Sequence, residues 1–157
     1  MISKINPAEF SERLNKNTKY GSPRILGTPF SVFYAFGESE KIFFGTYNKT
    51  KFELTKNTII YATPFIISGE FKSKKNNQTE INYELKPIGF GYYWLKYFPL
   101  IAFVMFNLTF YSVSESFEIV LIMNSIIAGL ALFLHFSVKW KKKKLENDFI
   151  KIFEIEA

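Results

Sequence analysis

The chain has 157 residues, enough for one domain of ordinary size, and it carries a net charge of +6. It contains no cysteine, which excludes disulfides, thiolate catalysis and cysteine-based metal sites. Charge is unevenly spread: before Tyr97 it interrupts the apolar residues every few positions, whereas over 98–138 the only formal charges are Glu115 and Glu118.

The N-terminal residues MISKINPAEF have no apolar run and no small-residue cleavage site, so no signal peptide is expected. Asn6 is a helix cap, Pro7 suits a first helical position, and Glu9 sits where a capping box places its acid. A short helix is therefore predicted over 7–15, with Phe10 and Leu14 on one face. Tyr20-Gly21-Ser22-Pro23 and Gly27-Thr28-Pro29 are loop punctuation. From Phe30 to Lys86 the pattern has period two. Strands are expected over 31–36, 41–47, 50–55, 58–61, 65–72 and 80–86, with a tight turn at Asn48-Lys49 and a polar hairpin loop over 74–78. This is an α+β pattern: a short N-terminal helix covering an antiparallel meander of about five or six strands with one buried face. Residues 1–91 are read as this β-rich domain.

Pro87 ends the last strand, and Ile88-Gly89-Phe90-Gly91 is read as a flexible connector. Tyr92, Tyr93, Trp94 and Tyr97, with Trp140 at the other end, are aromatic anchors of the kind found at the lipid headgroup level. Lys96 can snorkel toward the same level. Between these anchors lie two apolar segments, 92–113 and 119–138, each able to supply the roughly 20 residues that a membrane-spanning helix needs. A transmembrane hairpin is the expectation for 92–140. The alternative, a helical hairpin buried in a soluble protein, needs more covering residues than the chain has.

Charge orients the hairpin. Residues 1–96 carry 14 Lys and Arg against 8 acidic residues, and the tail from Lys139 carries 6 Lys against 4 acids, while the 114–118 loop has no basic residue. The positive-inside rule places both ends in the cytoplasm and the loop outside. The sequons at Asn48 and Asn77 carry no glycosylation meaning there.

Four polar or small residues inside the apolar segments are candidate contacts. Asn107 and Asn124 fall at a similar depth, roughly 8–9 Å inside the outer boundary. They are placed to hydrogen-bond across the hairpin, or to meet another membrane subunit. Ser125 and Gly129 form a small-xxx-small pattern that permits close approach of a helix, either the first helix or a partner's. His135, the only histidine, reads as an interfacial hydrogen-bonding residue, since no second ligand is near enough in sequence to hold a metal or heme.

Lys139, Lys141, Lys142, Lys143 and Lys144 act as a stop signal and as a candidate contact for anionic lipids. In the remainder of the 141–157 tail, Leu145, Phe149, Ile152 and Phe153 share one helical face. That face has three settings open to it: the β domain, the membrane surface or a partner. No nucleic-acid-binding signature, phosphate loop or catalytic constellation is present, so neither a cofactor nor a metal nor a catalytic residue is assigned.

The stretches FFGTYNKTKFELTKN and PFIISGEFKSKKNNQTEINYELKP, running into the aromatic entry of the hairpin, resemble small bacterial membrane proteins with a β-rich cytoplasmic module. Some such modules are pleckstrin-homology-like, and the resemblance implies a bacterial inner membrane as the location. The resemblance implies a layout and carries over no functional residue. The function expected is that of a non-catalytic accessory, scaffold or regulatory subunit, with membrane lipids and another membrane protein as partners. A lipid-sensing module is the first alternative and a membrane enzyme the second.

Overall fold

The computed structural model describes residues 1–24, 40–58, 63–74, 77–113 and 117–156. The strand expected over 31–36, most of that over 58–61, the turn at Gly27-Thr28-Pro29, and parts of the 74–78 and 114–118 loops lie outside them.

Helix α1 (Pro7–Asn17) begins at the predicted cap. Asn6 is extended, and its side-chain oxygen accepts a hydrogen bond from the Glu9 backbone N–H at 2.9 Å. The helix buries Phe10 and Leu14 completely and ends as Thr18 enters strand β2 (Thr18–Tyr20). Strands β3 (Phe43–Tyr47) and β4 (Lys51–Lys56) meet at a turn closed by Asn48, whose Oδ1 accepts from the N–H groups of Thr50 and Lys51 at 2.9 and 2.7 Å. Strands β5 (Phe65–Ser73) and β6 (Thr79–Pro87) form the long hairpin. Asn77, just before β6, is left-handed at φ 57°, a conformation that Asn tolerates. Gly69 has no room for a side chain: a Cβ there would lie 2.6 Å from the Asn82 carbonyl oxygen and 2.8 Å from the Phe52 ring.

These four strands are the antiparallel meander that the alternation predicts, but the sheet is wider. Among the described residues it has seven strands in the order β2-β3-β4-β5-β6-β1-β7, where β1 is Ile2–Ser3 and β7 is Ile155–Glu156. β2 runs parallel to β3, so the sheet is mixed and not wholly antiparallel. The added strands are two or three residues long, too short to show a period, and tertiary pairing holds them. Ile2 pairs with both Glu80 and Glu156, and Ser3 with Thr79 and Ile155, so β1 lies between β6 and β7.

One sheet face is polar over the paired lysines and acids of β4 to β6, while Phe44, Thr55 and Ile66 are buried farther along it. Lys51 is paired with Glu70 at 2.8 Å and Lys72 with Glu80 at 3.4 Å across neighbouring strands. The other face presents Phe43, Phe52, Leu54, Ile67, Phe71 and Ile81 to two covering helices. One is α1. The second is the end of the last helix.

Two long helices complete the chain. α2 (Gly89–Val113) starts directly after β6, so Gly89-Phe90-Gly91, expected as a flexible connector, is its first turn. Ile88 is buried there, donates to the Pro64 carbonyl at 2.9 Å and accepts from Tyr92 N–H at 3.2 Å. α3 (Phe117–Ile152) is 36 residues long and does not stop at the lysine run. Its final turns bury Leu145 and Phe149 in the sheet core, and Phe153 and Ile155 follow them. Of the three settings open to the tail, packing on the sheet is the one observed. Glu154, at φ 48°, makes the left-handed turn that ends α3 and sends the chain into β7.

Candidate functional site

The apolar hairpin is organised by one stripe along α3. Val120, Asn124, Ile127, Ala131, Leu134 and Val138 are less exposed positions that recur at alternating spacings of four and three, with Ser137 beside the last of them. Such a repeat keeps one helical face turned to a neighbouring helix. Beyond Val138 the same stripe continues through Lys141, Leu145 and Phe149, now facing the sheet. On α2 the matching positions include Pro99, Ala102, Phe106 and Asn107. Among the described residues most of the rest of the hairpin is exposed. Both helices are long and apolar enough to cross a membrane, and only 6% of the most apolar window of each is buried.

Asn107 and Asn124 meet on this stripe. Asn107 Nδ2 donates to Asn124 Oδ1 at 2.9 Å, and Asn124 Nδ2 donates back to Asn107 Oδ1 at 3.0 Å. Each amide thus satisfies the other, which matters in a setting with few other polar groups. Asn107 Nδ2 also donates to the Phe103 carbonyl at 2.8 Å. Ser125 and Gly129 are placed elsewhere. The Ser125 hydroxyl donates to Leu121 O in its own helix at 2.8 Å, and a Cβ added at Gly129 would meet open space. The small-residue pattern therefore does not face α2.

Toward the sheet a groove lies between the two helices. Ala128 and Ala131 on α3 are small, and opposite them α2 carries Pro99. The groove has a volume of about 850 Å³. Its walls are mostly apolar and include Leu100, Phe103, Ile127 and Leu132. At the end nearest the sheet it is lined by Lys96, His135, Lys139 and Lys142, with Phe65 and Tyr92 beside them. Antiparallel helices bring the start of α2 and the middle of α3 to one level, which is why residues so far apart in sequence share this end.

The aromatic and basic residues are interleaved here. Tyr92 packs edge-on against Phe65 at 5.5 Å between ring centroids. The Lys142 ammonium lies 6.0 Å from the Phe65 ring, Lys96 lies 5.3 Å from the Tyr97 ring, and Lys144 lies 4.9 Å from the Trp140 ring. Tyr93, Trp94, Tyr97 and Trp140 are exposed, whereas Tyr92 is half-buried. The lysines are not equivalent. Lys139, Lys142, Lys143 and Lys144 are exposed. Lys141 falls on the inward stripe, and burial lowers its ammonium to about 8.

Polar contacts fix α3 to the domain. Lys56 of β4 is ion-paired with Asp148. Arg13 of α1 donates to Ile152 O at 2.7 Å, to Glu154 Oε1 at 2.7 Å and to Glu9 Oε1 at 2.6 Å. The Tyr83 hydroxyl approaches Glu146 Oε1 at 3.4 Å, and burial, with the nearby Glu146 charge, raises the phenol above its ordinary range. Among the described residues no three His, Cys, Asp or Glu side chains cluster closely enough to hold a metal ion.

The sequence shows Lys96, His135 and the lysine run singly. Their convergence on one groove is not visible there, because it depends on how two helices pack against each other. The signal present is the run of small residues, Ala128 and Ala131, opposite a proline. Compared with protein-family models, with curated proteins and with solved structures, the chain matches none significantly.

Proposed function

We propose that the chain is a non-catalytic integral protein of a bacterial inner membrane, acting as an accessory, scaffold or regulatory subunit of a membrane complex. In this reading the hairpin spans the bilayer, the short loop lies outside, and the sheet domain and both ends are cytoplasmic. Basic residues flank the hairpin on the domain side only, which supports that orientation.

The observation that carries the reading is the continuity of α3. One helix runs from a largely uncovered apolar segment into the centre of the sheet core, with no break at the lysine run. A domain joined to the membrane in this way is held in one orientation, and its polar sheet face, with Lys51, Glu70, Asn82 and Glu84, is presented away from the covering helices. Fixed presentation of a surface suits a subunit that positions a partner.

The test is photo-crosslinking in native membranes from a residue on the polar face, such as Asn82, followed by purification in mild detergent. One partner polypeptide, crosslinked from Asn82 and recovered in stoichiometric amount, is expected. Recovery of a lone monomer with no intermolecular crosslink overturns the proposal.

A further inference from the structure

We propose that the groove between α2 and α3 binds one anionic phospholipid, with an acyl chain along its apolar walls and the phosphate at its basic end. The inference rests on the membrane reading above. Lys96, Lys139 and Lys142 lie at one end of the groove, and among the described residues no acidic side chain lines it. An apolar helix from a partner would match the walls but would leave these ammonium groups without a counter-charge. A phospholipid supplies both parts.

The dimensions agree. From Val138 to Ile127 the helix advances about 16 Å, close to the roughly 15 Å of one leaflet's hydrocarbon. A volume of about 850 Å³ falls in the range of sites that enclose small ligands. The basic end adjoins the sheet domain, the side on which the positive-inside rule places an anionic leaflet surface. Tyr92 and Phe65 form an aromatic floor between the two. The site therefore differs from a diffuse attraction of the lysine run: Lys143 and Lys144 are basic and adjacent but do not line it.

The test uses the full-length chain, purified and delipidated in detergent, and read by native mass spectrometry. Equal amounts of phosphatidylglycerol and phosphatidylcholine with the same acyl chains are offered. One retained phosphatidylglycerol is expected, preferred by on the order of tenfold. The triple variant Lys96→Gln/Lys139→Gln/Lys142→Gln should bring the ratio to about one. Ala128→Trp, which fills the groove from an exposed position, should lower the retention of both lipids, and Lys143→Gln/Lys144→Gln should leave the preference unchanged. Circular dichroism of each variant establishes that the helices persist.

Equal retention of the two lipids by the unaltered chain overturns the site. So does a loss of preference in the Lys143/Lys144 variant equal to that in the groove variant, since that marks surface attraction alone. A second polypeptide that excludes lipid from the groove overturns it as well. Membrane insertion is read separately by extraction with alkaline carbonate, so a chain that stays with the membrane yet shows no lipid preference removes the site and leaves the membrane reading intact.

Discussion

The Phe149 ring, near the end of α3, lies 5.3 Å from the Phe52 ring on β4. The helix that carries Phe149 begins in the uncovered apolar hairpin, so this contact joins the hairpin to the sheet through a single rigid element. Phe43, Tyr83 and Phe153 surround the same ring at 4.9–6.5 Å. Truncating it leaves a cavity that these rigid rings cannot easily close. Phe149→Ala is expected to cost the domain about 3–5 kcal/mol. Phe133→Ala, at an exposed position of the hairpin, should change domain unfolding by less than about 0.5 kcal/mol. Thermal unfolding of both variants in one detergent checks the contrast.

The parts of this fold that were legible in the sequence are those with a local cause. Asn6 and Pro7 start α1 by capping, Asn48 closes the β3–β4 turn with its own side chain, and alternation marks β4 to β6. The depth match of Asn107 and Asn124 follows from helical rise alone. What was not legible depends on distant pairing. Ile2–Ser3 becomes a strand only because Thr79–Glu80 and Ile155–Glu156 lie on either side of it. The continuity of α3 was legible in principle. No Gly or Pro follows Gly129, and Lys is a good helix former, so charge changes at Lys139 while helix propensity does not. A boundary drawn from charge alone separates two halves of one helix. The groove is a different case, since its basic end joins side chains from β5, α2 and α3.

The Asn107–Asn124 pair should behave as a unit. Removing one amide leaves the other without its partner, so Asn107→Ala and Asn124→Ala are each expected to weaken the hairpin by about 0.6–1.7 kcal/mol. The double variant should cost less than the sum of the two. Unfolding in bicelles, analysed as a double-mutant cycle, measures the coupling; strict additivity would mean that the two bonds contribute nothing to hairpin stability.

Arg13 gathers three acceptors from two parts of the chain: a carboxylate of its own helix, a carboxylate after α3, and the Ile152 carbonyl at the end of α3. Hydrogen bonding to Glu154 raises its pKa above an already high ordinary value, so it remains charged throughout the accessible range. Arg13→Gln is expected to destabilise the domain by roughly 1–2 kcal/mol, an amount reduced by partial solvent exposure. Arg13→Lys should restore only part of this, because one ammonium group cannot reproduce the planar fork. Denaturant titration ranks the three proteins.

Lys141 gives the folded state a specific pH response. Its folded value of about 8 lies below the ordinary lysine value near 10.5. Between these values the unfolded chain binds more protons than the folded one, so this group makes stability rise with pH from about 8 toward 10.5. Above about 10 the raised Tyr83 phenol acts in the opposite sense, since the folded state then holds the proton that the unfolded state releases. Comparison with Lys141→Met isolates the lysine. The variant should be more stable than the parent below pH 8, with the advantage shrinking as pH approaches 10.5. An advantage that is constant with pH would assign the effect to packing and not to the buried charge.

The orientation of the hairpin can be read by labelling, because the chain contains no cysteine to interfere. The loop end of α3 carries Glu118 and no basic residue, while the opposite ends of both long helices carry Lys96, Lys139 and Lys142 on the side of the sheet domain. Glu118→Cys should therefore react with a membrane-impermeant maleimide in intact cells. Lys74→Cys, after β5 of the domain, should react only once the membrane is opened. Neither position lies in the sheet core or on the helix–helix stripe, so both variants are expected to fold. Labelling of Lys74→Cys in intact cells, with Glu118→Cys protected, would invert the topology. It would also place the basic end of the groove at the outer leaflet, where the electrostatic argument for an anionic headgroup at the cytoplasmic surface does not apply.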